Sequence, residues 1–307
     1  MQKATIDVVI PTYKPDASFR EMLRILSVQT QPVSHILIIN TGEEYWDDTL
    51  TEDVTRAEVF HIRKEEFDHA GARNMGAGFS DADYLLFMTQ DALPADRYLV
   101  KNLLACFSEP CVKAAYARQL PRKDAKITEG IVRSFNYPAE SCIRTFADLG
   151  TAGIKAYFCS NVCAMYERAT FQQMGGFLPP AIFNEDMVYA ARIEHLGYGV
   201  AYAAKALVYH SHNYTNMQQF RRNFDNGVSQ AMHPEIFHGV SSTGEGRRMV
   251  KYVTGQLKSV GRLYLLPRFY WQCFVKLAGF RLGRIYKLLP KGLVRKCSAS
   301  PEFFDRI

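Results

Sequence analysis

Three stretches of this 307-residue chain carry groups suited to metal, proton and phosphate chemistry. In YLLFMTQDALPAD an apolar run from Tyr84 ends on Asp91 and an Ala-Leu-Pro turn. That is the pattern of a buried strand delivering a carboxylate to the edge of a sheet where α/β folds place their ligands. In LPPAIFNEDMVYAARIEHLGYG, Asn184 stands at an N-cap, Glu185 and Asp186 fill a first helical turn, and Gly197 can end the helix. In KALVYHSHNYT a strand from Ala206 to Tyr209 leads into His210 and His212, which share a face if the strand persists. Carboxylate oxygen suits a hard divalent cation, imidazole joins it if the ion is manganese, and a second carboxylate can accept a proton. Each feature also has a plainer reading: Asp favours turns, acids complement the positive end of a helix, and paired histidines decorate surfaces.

The elements that must position these groups follow from periodicity. IDVVIPTYKPD (Ile6 to Asp16) is a β-branched run stopped by Pro11 and a polar turn. SFREMLRILSVQTQ (Ser18 to Gln31) carries Phe19, Met22, Leu23 and Leu26 near helical spacing, and HILIIN (His35 to Asn40) closes a β-α-β unit. A third strand, AEVFHIR (Ala57 to Arg63), leads into FDHAGARNMG and the Asp91 strand, giving a parallel half-sheet with its loops at one edge. YFCSNVCAMYER (Tyr157 to Arg168) reads as a further strand with Cys159 and Cys163 facing the core. A zinc reading of that pair lacks a second pair at ligand spacing.

The first 230 or so residues resemble a family 2 glycosyltransferase of the GT-A fold. FDHAGARNMG followed by FMTQDALP is similar to the form found in bacterial rhamnosyltransferases of surface-polysaccharide assembly. The resemblance implies an α/β architecture: a Rossmann-like mixed, mainly parallel sheet flanked by helices. VVIPTYK is similar to the family's opening strand, whose loop holds the nucleotide, so Pro11, Thr12 and Tyr13 are expected donor contacts. Asn40 joins them where the family usually has an acid. FMTQDA stands where the family writes a strand ending in Asp-X-Asp. Asp91 therefore matches the metal-binding acid, and Thr89 replaces the first acid with a hydroxyl that can bond a ribose. Gln90 is counted on the donor side with it. Arg73 and Asn74 are expected to meet a phosphate or the base, Arg through its fork of donors; His69 in the same loop is ambiguous. The Asn-Glu-Asp helix start resembles the acceptor-side motif, which makes Asp186 the catalytic base and Glu185 its supporting neighbour. A histidine after that helix completes the metal site in related enzymes, His210 being preferred here to His212.

The implied chemistry accounts for the residue types. A nucleoside diphosphate departs as a multiply charged anion, so Mn2+ or Mg2+ bridging its phosphates neutralises developing charge, and the acceptor hydroxyl must lose a proton to a carboxylate. The resemblance points to an inverting transfer of L-rhamnose from a deoxythymidine diphosphate donor to a polyprenyl-diphosphate-linked saccharide. A UDP- or GDP-linked donor and a non-catalytic protein of the same fold are the alternatives. An oxidoreductase is excluded by the lack of Gly-X-Gly-X-X-Gly after the first strand.

Charge is unevenly spread. Residues 1–246 hold 23 Lys and Arg against 29 Asp and Glu, whereas Arg247 to Pro301 hold 13 Lys and Arg and no acid. Such asymmetry marks a negatively charged partner. Between Pro267 and Pro290, Trp271, Phe274, Ala278, Leu282, Ile285 and Leu289 recur at steps of three and four, with Lys276, Arg284 and Lys287 on another side and Lys291 just beyond. This reads as an amphipathic basic helix, too short in its uncharged run to span a bilayer. It is expected to lie on an anionic membrane surface, the plainer readings being core packing or contact with a partner subunit in a homo-oligomer. No nucleic-acid motif is present. The expected organisation is a transferase domain over 1–240 and a helical extension over 241–307. Seven dispersed cysteines argue against a disulfide framework, and the N-terminal stretch lacks a signal peptide's apolar run. A cytoplasmic location, peripheral on the inner face of the membrane, follows as the expectation.

Overall fold

The computed structural model describes residues 4–240 and 243–306. Nine strands form one sheet: β1 (Ile6–Tyr13), β2 (Ile36–Thr41), β3 (Ala57–Ile62), β4 (Tyr84–Met88), β5 (Leu93–Pro94), β6 (Val112–Leu120), β7 (Cys142–Arg144), β8 (Cys163–Glu167) and β9 (Gly199–Tyr209). Their order is β3-β2-β1-β4-β8-β6-β9-β5, with β7 added on β9. β1 to β4 pair in parallel, β8 runs antiparallel between β4 and β6, and β6 pairs in parallel with β9. Because β8 alone is reversed among these central strands, the carboxyl ends of β1, β2, β4, β6 and β9 and the start of β8 meet at one edge.

Seven described helices of ten residues or more accompany the sheet: α1 (Ala17–Ser27), α2 (His69–Gly78), α3 (Ile127–Asn136), α4 (Glu185–His195), α5 (Asn216–Met232), α6 (Thr243–Ser259) and α7 (Leu266–Arg284). Strand alternation divides the core. Val8, Ile10, Ile36, Ile38, Leu86 and Met88 pack with Phe19, Met22, Leu23 and Leu26 of α1. Val9, Leu37, Leu85 and Phe87 pack on the other face with α2 and with Tyr189, Ala190 and Ile193 of α4. Helices on both faces explain why these strands are apolar throughout rather than alternating with polar residues.

Several local expectations change. α1 ends at Ser27 rather than Gln31, because the Gln29 side chain is taken up by the Asp96 carbonyl and the Val100 N–H. The stretch from Tyr157 is a loop, and only Cys163–Glu167 is strand, since the preceding residues supply polar contacts to the sheet edge. Cys159 and Cys163 are both buried, as expected, but Cys159 lies off the strand with its thiol 3.3 Å from the Tyr166 hydroxyl. Asn184 stands at the start of α4 without capping it through its side chain. Its φ is +59°, and its amide donates to Asn226 instead.

The extension is anchored differently from the amphipathic reading. α7 ends at Arg284 and is followed by a short 3-10 turn. Its close contact with α5 is made of glycine: a Cβ at Gly279 or Gly283 would collide with the Phe220 or Phe224 carbonyl, and one at Gly227 with the Phe280 carbonyl. Leu282 and Leu289 pack partly inward, whereas Trp271, Phe274 and Ile285 of the expected apolar stripe are exposed. Backbone proximity at the three glycines sets the rotation of α7, overriding the side-chain periodicity. No described helix is long and apolar enough to cross a membrane.

Candidate active site

Asp91 follows β4 in a turn closed by the Ala92 N–H on the Thr89 carbonyl. β9 leaves the sheet at Tyr209, and the His210 N–H donates to the Leu120 carbonyl, extending the β6 register. The ends of β4 and β9, separated by two strands in the sheet, thereby deliver one carboxylate and two imidazoles to one point. Asp91 Oδ2 lies 3.0 Å from His212 Nε2 and 3.5 Å from His210 Nε2, and the two Nε2 atoms are 3.1 Å apart. Among the described residues this is the one cluster of three potential metal ligands. Burial would raise the Asp91 carboxyl, but the two imidazoles outweigh it when protonated, through their hydrogen bonds and charge, and hold the group far below the usual carboxylate range.

Gln119 of β6 assigns the tautomer of His210. Its Oε1 accepts from the Arg133 guanidinium, and its Nε2 donates to the hydroxyls of Tyr137 and Ser160. The atom 2.9 Å from His210 Nδ1 is therefore the acceptor, so Nδ1 carries the proton, and in the neutral ring the Nε2 lone pair is left to accept from His212 or to bind a cation. An imidazole oriented by an outer hydrogen bond is the usual arrangement of a metal ligand. Thr89 lines the same cavity with its hydroxyl buried and unpartnered, as a site awaiting an oxygen-rich ligand would have it. The donor set fits a divalent cation that accepts both carboxylate and imidazole.

The second acid pair sits at the start of α4. The Asn161 backbone N–H donates to Asp186 Oδ2 at 2.8 Å, and its side chain donates to Glu185 Oε1 at 3.0 Å. Asn161 is itself held by the Tyr166 hydroxyl, 2.8 Å from its Oδ1. Glu185 is buried against Arg73, whose Nη1 is 3.3 Å from Oε1 and 2.9 Å from the His69 carbonyl. Burial works to raise the Glu185 carboxyl, but the charges of Arg73 and His69 bring it below its ordinary value. Asp186 moves the other way: burial, then the neighbouring Glu185 charge, push it up to about 7. One acid of the pair is thus kept ionised and the other poised near neutrality, the division expected of a supporting residue and a proton acceptor.

A cavity of about 490 Å³ contains both sets, with Asp91, His210 and His212 as well as Glu185 and Asp186 in its lining. Thr89, Gln90, Arg73 and His69 also reach it, together with Arg222 and Tyr214, which the sequence did not single out. Gln90 has a second task, bonding the Tyr13 N–H and carbonyl to tie the ends of β1 and β4. Tyr13 borders an adjoining hollow of about 390 Å³ with Tyr45 and Lys64. Pro11, Thr12, Asn40 and Asn74 line neither space. Asn40 is fully buried between the Thr12 hydroxyl, the Gly42 carbonyl and His61, and Asn74 is spent on the Phe177 N–H and carbonyl. Asn161 and Gln119 went unnoticed because their roles come from pairings across 24 and 91 residues, which no local pattern carries.

Residues 7–175 match the family model for glycosyl transferase family 2. The chain belongs to that family. This family 2 transferase is 36% identical over 305 residues to the O-antigen chain rhamnosyltransferase RfbN of Salmonella typhimurium, covering 98% of this chain and 96% of the relative. It is 35% identical over the same length to the O-antigen chain rhamnosyltransferase WbaN of Salmonella anatum, with the same coverage. Among solved structures, the mannosyltransferase PcManGT from Pyrobaculum calidifontis, in complex with GDP-Man and Mn2+, superposes with a TM-score of 0.64 at 14% identity. That match covers 93% of this chain and 88% of the other and establishes a shared fold. The family 2 transferase is therefore a glycosyltransferase of GT-A architecture carrying a C-terminal helical extension.

Proposed function

We propose that this transferase moves L-rhamnose, with inversion, from dTDP-L-rhamnose to a polyprenyl-diphosphate-linked saccharide during O-antigen-type polysaccharide synthesis at the inner face of the membrane. One observation carries the reading: a metal-competent Asp91–His210–His212 cluster and a proton acceptor, Asp186, line one cavity. Both curated relatives named as O-antigen rhamnosyltransferases align over nearly the whole chain, which supports the sugar and the pathway class.

Asp91, His210 and His212 would hold Mn2+ or Mg2+, which when bound supplies positive charge to the leaving diphosphate. Arg222 adds a fixed cation to the same cavity. Asp186 takes the proton from the acceptor hydroxyl, each of its oxygens keeping a lone pair beyond the N–H bonds from Asn161 and Met187. Glu185, neutralised by Arg73, stays ionised and sustains the basicity of Asp186. A single proton acceptor suits one displacement at the anomeric carbon, hence inversion. In this organisation 1–240 performs the transfer, and the basic extension over 241–307 meets anionic lipid.

The test is transfer by purified protein across a panel of dTDP-, UDP- and GDP-sugars, with and without chelator, with the anomeric configuration read by NMR. Metal-dependent, inverted product from dTDP-L-rhamnose supports the proposal. Turnover with another sugar replaces the donor, and chelator-resistant turnover removes the cation.

A further inference from the structure

Outside the transfer cavity, α6 and α7 enclose a groove of about 670 Å³ that the chemistry above leaves unused. Val250, Leu277 and Phe280 give it an apolar wall, and Arg247, Lys251, Lys276 and Arg281 also line it. The described ion pairs of these helices and the segment after them are Arg248–Glu245, Lys155–Glu245, Arg295–Asp305 and Lys64–Glu302. The four groove cations are therefore unpaired among the described residues, and no acid occurs between Arg247 and Pro301 to neutralise them. The groove is also connected to the site. Cys273 and Lys276 border a smaller hollow that contains Lys126, His212 and Tyr214, and the last two belong to the transfer cavity. Shared side chains thus link the apolar, cation-flanked groove to the Asp91 cluster by way of Lys276, Lys126 and Glu129, the last paired with Arg133.

A ligand matched to this path has a long apolar chain at one end, two or more negative charges next to it, and a polar body beyond them. We infer that the α6–α7 groove binds the first isoprenoid units of a polyprenyl-diphosphate-linked acceptor, with the diphosphate at Lys276 and Lys126 and the saccharide extending past His212 toward Asp186. The inference rests on the acceptor being lipid-linked as proposed above, and adds where the carrier is held. It differs from general adsorption to an anionic surface, which needs spread charge but no concave apolar wall.

The probes are neutral-lipid vesicles doped with a polyprenyl diphosphate and vesicles given equal surface charge by an anionic phospholipid. The full-length parent should bind the first about tenfold or more tighter, a 1.4 kcal/mol preference. Leu277 is exposed, so Leu277→Asp is compatible with folding, which circular dichroism checks. Leu277→Asp with Lys276→Gln should abolish the preference while binding to the phospholipid vesicles persists. In transfer assays the pair should raise KM for a lipid-linked acceptor about tenfold and leave kcat/KM unchanged for the same saccharide on a short soluble tail that has neither the isoprenoid nor the diphosphate. Restoring Leu277 as Met should recover most of the effect. Equal binding of the parent to both vesicles, or equal loss on both in the variant, overturns the groove. Failure of the parent to transfer to either acceptor, with the vesicle preference intact, counts against the transfer reading and leaves the groove standing.

Discussion

Asp186→Asn offers a test in which activity and stability move in opposite directions. A carboxyl that titrates near ~3.9 in the unfolded chain and at about 7 in the fold binds its proton more tightly when folded. The stability this proton provides is fully present in acid and is lost as pH rises through about 7. At about 1.4 kcal/mol per unit, the ionised group costs the folded state ~4 kcal/mol above neutrality. The amide carries no charge at any pH and so escapes that cost. It loses one of the two N–H bonds from Asn161 and Met187, since its nitrogen cannot accept, at ~1 kcal/mol independent of pH. The variant should therefore be less stable than the parent by ~1 kcal/mol near pH ~4 and more stable by ~3 kcal/mol near pH ~8. Between those limits the difference should climb by about 1.4 kcal/mol per pH unit. Urea denaturation of both proteins across this range measures it, and the slope is independent of the hydrogen-bond offset. Transfer should meanwhile fall by about 10²-fold or more, with donor and metal binding nearly unchanged. A stability difference that stays flat with pH would show that Asp186 titrates as an ordinary carboxylate, and the assignment of the base would go with it.

Other perturbations address the remaining groups. Asp91→Asn should abolish metal-dependent turnover and weaken donor binding with the fold intact; near-normal turnover in that variant takes Asp91 out of the site. Arg73→Met strands the buried Glu185 charge and should cost ~3–5 kcal/mol of stability, whereas adding Glu185→Gln should recover much of the loss; strictly additive single effects in the cycle would deny the pair its coupling. In the parent, kcat/KM should rise with pH through about 7 as Asp186 ionises, and a profile already level in mild acid would assign proton transfer elsewhere. Exchanging Lys276, Arg284, Lys287 and Lys291 for Gln should release the protein from anionic vesicles, as raised salt should for the parent, while activity on a soluble acceptor survives. Retained vesicle binding with lost folding would make the extension purely structural.

The candidate site at the sheet edge was legible where one segment states its own geometry. An apolar run ending on Asp91, an acid pair opening α4 and a strand running into His210 each declare an element and its functional end together, and the structure gathers all of them. The parts that were not legible depend on what faces them. Asn40 and Asn74 look like ligand-facing amides in sequence, yet the amide of Asn40 is taken up by the Thr12 hydroxyl, the Gly42 carbonyl and His61, and that of Asn74 by the backbone of Phe177. Gln119 acts on His210 only because β6 and β9 pair in one register. On α7 the informative residues were glycines, which add nothing to a hydrophobic period, so counting apolar steps selected a face that remains exposed.

The glycine contact between α5 and α7 bears on how such enzymes can be recombined. α5 starts directly after Tyr214, at the lip of the transfer cavity, and its start is fixed by the reciprocal Thr215–Gln218 bonds. With main chain touching main chain at Gly227, Gly279 and Gly283, the two helices form one stiff bar reaching from the cavity to the outer helical face. Splicing a foreign extension onto this transferase at 240/241 would therefore leave half of that bar behind. Chimeras meant to exchange acceptor preference should carry α5 and α7 as a unit, with the crossover placed ahead of Tyr214.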